Sequence, residues 1–246
     1  MKAILISTIL MFFLVSTSCK KDDDNKDETV TKANIIGSVN LYDEGTIAIA
    51  KDGMVVMVEG SSPIISATTD ADGKFTLTDV PFGTYTIVYE KTGYGTYKKS
   101  GVSHTNTGFS TYISASPSLG QKSTTTVTML SASASGSNII ISTTTAPASS
   151  NNNPKYIRYF YSTESSVSSE NYTYASVGLV IKINPYDKSL STSDLSDMGF
   201  STGSTIYVKV YGDSFWSNEY EDSNLGRKLF PNLNSTSAAA VSFVMP

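Results

Sequence analysis

The feature that most limits how this chain can fold is the shortness of its apolar runs. From residue 33 onward they alternate in polarity and are cut by clusters of Gly, Asp, Asn and Pro. Phe75 and Leu77 flank Thr76, and Tyr85, Ile87 and Tyr89 alternate with Thr84, Thr86 and Val88. A period of two puts one set on one face of a strand. Apolar spacing of three and four, which a helix needs, is hard to find. Ser, Thr, Tyr, Gly and Val dominate, and only 16% of the residues are charged. Such a chain is expected to be all-β, built as sandwiches. Its 246 residues leave room for two domains of about 100 residues each.

Over 33–131 the pattern predicts strands at 35–41, 54–59, 74–77, 84–90, 109–113 and 124–130. Asp72-Gly73 forms a tight-turn dipeptide ahead of Phe75 and Leu77, because Gly tolerates positive φ. Pro81 and Gly83 make the next turn. The spacing Thr69, Asp72, Gly73, Phe75, Leu77, Val80, Pro81, Gly83, Tyr85 resembles the carboxypeptidase regulatory-like domain, a transthyretin-type sandwich. Gly37-x-Val39 fits its first strand, and Lys91-Thr92-Gly93-Tyr94 follows as in that family. The resemblance implies a fold and almost no chemistry, since these modules act as accessory, spacer or binding domains.

The small polar stretch 131–137 reads as a linker. Beyond it, strands are predicted at 139–142, 156–161, 177–183, 205–211 and 239–244, forming a second sandwich over 137–246. The run Gly203-Ser204-Thr205-Ile206-Tyr207-Val208-Lys209-Val210 resembles the sixth strand of fibronectin type III domains. Ile206 stands where that family carries its corner tyrosine. The expected fold class is therefore all-β, two consecutive immunoglobulin-like β-sandwiches. Between the last two strands, a long loop carries Phe215, Trp216 and Tyr220, with Trp216 the sole tryptophan. These three are the candidate ligand-binding residues, since exposed aromatics can stack on sugar rings. The competing expectation, and the favoured one, is that they fold back over the sandwich edge, because large aromatics are usually mostly buried.

The amino terminus carries a different signal. Lys2 precedes an apolar run from Ala3 to Val15, followed by Ser16-Thr17-Ser18 and Cys19. That is the layout of a secretory signal, and its apolar run is shorter than the roughly 20 residues a membrane span needs. Cys19 is the only cysteine, so no disulfide within the chain can occupy it. The stretch from Val15 to Asp24 resembles the lipoprotein signal of Bacteroidetes-type bacteria, with Ser16 and Ser18 at looser lipobox positions. The resemblance implies cleavage after residue 18, diacylglycerol on the Cys19 sulfur and attachment to the outer membrane. The acidic run Asp22-Asp23-Asp24 resembles that group's signal for surface export. Residues 19–32 then form a disordered tether.

The sequence carries no complete catalytic motif. Gly199-Phe200-Ser201-Thr202-Gly203 spells a nucleophile-elbow motif, but a β-type strand follows it, and the only histidine, His104, precedes it. One histidine does not make an ordinary His-based metal site. His104 is expected to be solvated in a polar loop. Asp70-x-Asp72-Gly73 lacks the remaining ligands of a calcium loop. No cofactor is expected. The net charge of −4 argues against a nucleic-acid partner. The leading expectation is a non-enzymatic, lipid-anchored surface protein that binds or spaces glycan or protein partners. The alternatives are a structural adhesion or fimbria-like component and an accessory subunit of a polysaccharide-degrading system.

Overall fold

A computed structural model describes residues 30–246. The signal segment 1–18, Cys19 and most of the expected tether lie outside these residues, and the first strand already begins at Lys32. The described residues are nearly all β. Among them, no helix is long and apolar enough to cross a membrane.

The first sandwich contains β1 (Lys32–Ser38), β2 (Asn40–Tyr42), β3 (Val55–Val58), β4 (Ser66–Thr68), β5 (Lys74–Pro81), β6 (Gly83–Glu90), β7 (Tyr97–His104), β8 (Thr111–Tyr112) and β9 (Ser118–Gly120). Three strands order as β5-β1-β8 and four as β4-β3-β6-β7, while β2 and β9 pair in parallel. The turn before β5 has a local cause. Asp70 Oδ1 accepts hydrogen bonds from the backbone of Asp72 at 3.0 Å and Lys74 at 2.8 Å. Gly73 supplies a φ of 79°. The strand then buries Phe75, Leu77 and Val80. Phe75 meets Tyr89 edge-on at 5.9 Å. Its ring also fills the space where a Cβ on Gly37 would stand, 2.6 Å from Phe75 Cζ. Asp70 thus serves the turn, and among the described residues no group of acids, His or Cys could hold a metal ion.

The second sandwich contains β10 (Thr126–Ser135), β11 (Asn138–Ala146), β12 (Lys155–Ser162), β13 (Tyr174–Ala175), β14 (Leu179–Ile181), β15 (Tyr186–Leu190), α1 (Thr192–Asp197), β16 (Thr205–Asp213), β17 (Tyr220–Asp222), β18 (Arg227–Leu229) and β19 (Val241–Val244). One sheet orders as β10-β11-β15. In the other, β13 and β14 both pair with β12, followed by β16 and β19. The one-and-a-half-turn helix is started by a Ser191–Asp194 capping box.

Two expectations change here. The linker at 131–137 is instead the closed end of a hairpin: Ser131 to Ser135 pair with residues 138–142 of β11, and Gly136 turns the chain at a φ of 62°. The strand expected at 124–130 accordingly belongs to the second sandwich. Alternation of small residues in this hairpin resembles a linker in composition, because one side of it faces solvent. His104 is not solvated. It ends β7 at 0% exposure, with Nε2 donating to the Val80 carbonyl at 3.0 Å and Nδ1 against Thr111 Oγ1 at 2.7 Å. Its polar sequence neighbours Ser103 and Thr105 made it look like loop, whereas partners from elsewhere in the chain, Val80 and Thr111, let it be buried.

Candidate functional site

The site begins with β12. Its sequence Lys-Tyr-Ile-Arg-Tyr-Phe-Tyr-Ser sends Ile157, Tyr159 and Tyr161 into the core of the second sandwich. Tyr156, Arg158 and Phe160 therefore face outward. An outward row of that size needs cover, and the chain after β16 provides it. Residues 214–234 fold over this sheet face as a long excursion. Phe230 packs on Phe160 at 5.2 Å, beside Tyr172 at 5.3 Å and Tyr211 at 5.6 Å. These rings form a third, aromatic cluster outside the two main cores.

The same excursion seals the two sandwiches together. Asn218 and Asn232 are buried at the seam. Asn218 Oδ1 accepts from the Gly120 backbone at 2.9 Å, and its Nδ2 donates to the carbonyls of Gly95 and Gly120, both at 3.1 Å. Asn232 Oδ1 accepts from the Gly95 backbone at 2.8 Å, and its Nδ2 donates to Gly120 O at 2.9 Å and Trp216 O at 2.7 Å. Two side-chain amides thereby complete backbone groups that no sheet ladder reaches. Glycine permits the close approach: a Cβ on Gly95 would enter the Pro231 backbone, and one on Gly212 the Thr125 carbonyl. Glu44 adds a further tie, accepting from Thr124 N at 2.7 Å and standing 3.8 Å from Lys155 Nζ.

Beside the seam lies a charged cluster. Arg158, 5% exposed, donates from Nε to Asp213 Oδ2 at 2.7 Å and from Nη1 to the Ser176 carbonyl at 2.8 Å, and it pairs through Nη2 with Glu219 at 2.9 Å. Its guanidinium lies 4.4 Å from the centre of the Phe230 ring. Glu219 also accepts from Lys228 Nζ and Ser217 Oγ, each at 3.0 Å. Burial raises the Asp213 carboxyl above its ordinary value, against the opposing charge of Arg158. Burial also acts upward on Glu219, but the Lys228 hydrogen bond and the Arg158 and Lys228 charges outweigh it and hold that carboxyl below its ordinary value. Both carboxylates thus have their charge partners within the network.

A cleft of about 370 Å³ opens above this cluster, lined by Tyr156, Arg158, Val177, Gly178, Val180, Ser214, Phe215, Ser217 and Glu219. Its floor follows from strand register. Val180, Tyr156 and Asp213 form one cross-strand row. Beside Arg158, the edge of the cleft is formed by Gly178, which adds no side chain to it. A Cβ on Gly178 would stand 3.4 Å from Arg158 Nη2. A second hollow of about 240 Å³ shares Phe215, Ser217 and Glu219 and is closed by Tyr97, Pro117, Ser118, Leu119, Trp216 and Asn218. Together the two hollows make a cleft between the sandwiches, with first-sandwich residues lining only the smaller one. Phe215 is 45% exposed between the hollows and meets Tyr156 edge-on at 5.7 Å. The arrangement offers an open ring, apolar walls and a few convergent polar groups, the general makeup of a binding site. A larger hollow, about 490 Å³, lies on the first sandwich. Its charged residues serve the β4–β5 turn, Asp70 as described and Lys74 in a 3.1 Å pair with Asp72, so no buried polar group is directed into it.

Of the three aromatics singled out in the sequence, only Phe215 presents an open face. Trp216 packs at 5.0 Å, tilted by 32°, on Tyr42 of the first sandwich, and its buried indole Nε1 has no hydrogen-bond partner among the described residues. Tyr220 meets Tyr97 edge-on at 6.3 Å across the same seam. Trp216 and Tyr220 therefore fold against the neighbouring sandwich, while Phe215 packs on Tyr156 of its own. Ser201 sits in the turn between α1 and β16, where its carbonyl accepts from Ser204 N at 3.1 Å, far from the arrangement a nucleophile elbow requires. Sequence reasoning missed Tyr156, Arg158, Gly178, Asp213 and Glu219. One signal was present: Arg158 is a single charge inside the aromatic run of β12, and a charge there needs a buried partner.

Comparison with known proteins bears on the fold. Residues 45–130 match the carboxypeptidase regulatory-like domain family. That match runs into β10, whose pairing places it in the second sandwich. No curated protein matches the chain. Among solved structures, a Bacteroides uniformis protein provisionally described as carbohydrate-binding aligns at 16% identity, over 87% of this chain and 99% of that one, with a TM-score of 0.31. A DUF3823 family protein from Bacteroides ovatus aligns at 11% identity, over 87% and 100%, with a TM-score of 0.30. A cohesin–X-dockerin complex from Acetivibrio cellulolyticus aligns at 28% identity, over 37% of this chain and 58% of that one, with a TM-score of 0.30.

Proposed function

We propose that this chain is a non-enzymatic surface protein, anchored by lipid on Cys19, whose inter-sandwich cleft binds glycan. The observation that carries the reading is Phe215, 45% exposed on the wall shared by two hollows while its aromatic neighbours are packed into the seam. An exposed ring held rigidly beside hydroxyl and carboxylate groups suits the apolar face and hydroxyl rim of a sugar. The anchor rests on the signal at residues 1–19, and the acidic run at 22–24 supports the outer face of the outer membrane as its location. Two or more acyl chains at Cys19 would hold it firmly. The second sandwich is read as fibronectin type III-like.

The test is a glycan array probed with the mature chain and with Phe215→Ala. Binding that disappears in the variant, with unfolding behaviour unchanged, is the expected result. Binding that survives would refute the site. Trp216→Ala is the wrong probe, because Trp216 belongs to the seam and its loss would disturb the fold. The anchor is tested separately: Cys19→Ala should move the protein from the membrane fraction to the soluble one, and retention would refute lipidation.

A further inference from the structure

We propose that the cleft takes a neutral oligosaccharide of at least two units that straddles Phe215. This rests on the glycan reading of the same cleft and adds ligand length and charge to it. Length follows from the hollows. The roughly 370 Å³ and 240 Å³ spaces meet at Phe215, Ser217 and Glu219, and each has a second aromatic wall, Tyr156 in the larger and Tyr97 with Trp216 in the smaller. A single sugar fills one hollow and leaves the other wet. A second linked unit occupies the other hollow without paying again for association. Residues of both sandwiches then contact one ligand.

Charge follows from the cluster beneath. The cations Arg158 and Lys228 face the carboxylates Asp213 and Glu219. Arg158 has Nε, Nη1 and Nη2 all engaged and is 5% exposed, so it offers no open guanidinium to a uronate. Glu219, in the wall common to both hollows, has its charge matched by Arg158 and Lys228, so the wall offers no unpaired charge to hold either an anionic or an amino sugar. What remains available is hydrogen-bonding capacity without net charge.

The experiment is affinity electrophoresis of the mature chain through gels containing amylopectin, galactomannan or arabinoxylan, with polygalacturonate as the acidic comparison. The polymer that retards it is followed by calorimetric titration with its own mono-, di- and tetrasaccharides. The expected result is retardation by a neutral polymer and a disaccharide bound at least tenfold tighter than the monosaccharide. Gly178→Leu, which fills the larger hollow, should erase that tenfold gain, and Phe215→Ala should remove binding altogether. A monosaccharide bound as tightly as the tetrasaccharide, or an unaffected Gly178→Leu, overturns the straddling arrangement while leaving the glycan reading standing. Retardation by polygalacturonate alone overturns neutrality. No retardation in any gel, or equal retardation of Phe215→Ala, overturns both the inference and the glycan reading.

Discussion

Replacing Asn232 with Leu tests whether the two sandwiches are held as one body by side-chain amides at their seam. Asn232 is 0% exposed. The Leu side chain is close to it in size, so the chief loss is polar. The Gly95 N–H, bonded to Asn232 Oδ1 at 2.8 Å, is left buried without a partner. The Trp216 carbonyl, bonded at 2.7 Å, loses its donor but is only partly buried. Gly120 O keeps its bond from Asn218 at 3.1 Å. One fully orphaned group costs about 1–3 kcal/mol and a part-exposed one about 0–1, so the variant should lose about 1–4 kcal/mol. Trp216, the only tryptophan, lies at the seam, so its fluorescence reports seam opening, whereas far-UV circular dichroism reports both sandwiches. In urea the wild type should unfold with the two signals coincident. In Asn232→Leu the fluorescence transition should come first, at lower urea, with the dichroism trailing. Coincident transitions displaced by less than about 1 kcal/mol would mean that the amide network does not hold the seam.

Three further outcomes follow from neighbouring residues. Gly212→Ala puts a methyl group into the Thr125 carbonyl and should destabilise by about 3 kcal/mol in the same urea assay; a neutral result would mean the seam backbone yields freely. Tyr161→Phe removes a buried hydroxyl that has no partner among the described residues and should stabilise by about 1 kcal/mol, whereas Tyr159→Phe breaks a 2.9 Å bond to Thr143 and should cost about that much. Thermal melts of the two variants should therefore move in opposite directions. Glu219→Gln should cost about 1 kcal/mol at pH 7 after allowing for screening of a carboxylate that is 34% exposed. The folded carboxyl is held below its ordinary value, so the folded state binds fewer protons than the unfolded one. Its contribution is complete above about pH 4.3 and fades as pH falls through the depressed folded value. The gap between wild type and variant should close below about pH 4; a gap that widens there would reverse the assigned direction.

The aromatic and charged residues of the seam show where sequence reasoning reaches its limit. Period-two alternation around Phe75, Leu77, Ile87 and Tyr89 made the first sandwich legible, because a half-buried strand writes its two faces directly into the chain. The same rule located 156–161 and 205–211 as strands. It did not say that the outward face of β12 is also covered, since an apolar outer row such as Tyr156 and Phe160 reads like an ordinary strand until its cover is known. The small residues at 131–137 matched a linker in composition and a solvent-facing hairpin equally well. His104 looked solvated because Ser103 and Thr105 surround it, while its partners Val80 and Thr111 come from other strands.

By itself the sequence determined the all-β class, the carboxypeptidase regulatory-like pattern and the presence of a candidate lipidation cysteine, all of which depend on residues near one another in the chain. Only the tertiary structure decided that 214–234 is a clamp rather than an open loop, that Trp216 and Tyr220 serve the seam, and that Phe215 is the most open of the three. Asn218 reaches Gly120 across 98 residues and Asn232 reaches Gly95 across 137. A hydrogen bond over such a separation leaves no local pattern, because either amide, met in sequence, looks like any other polar residue in a turn-rich loop.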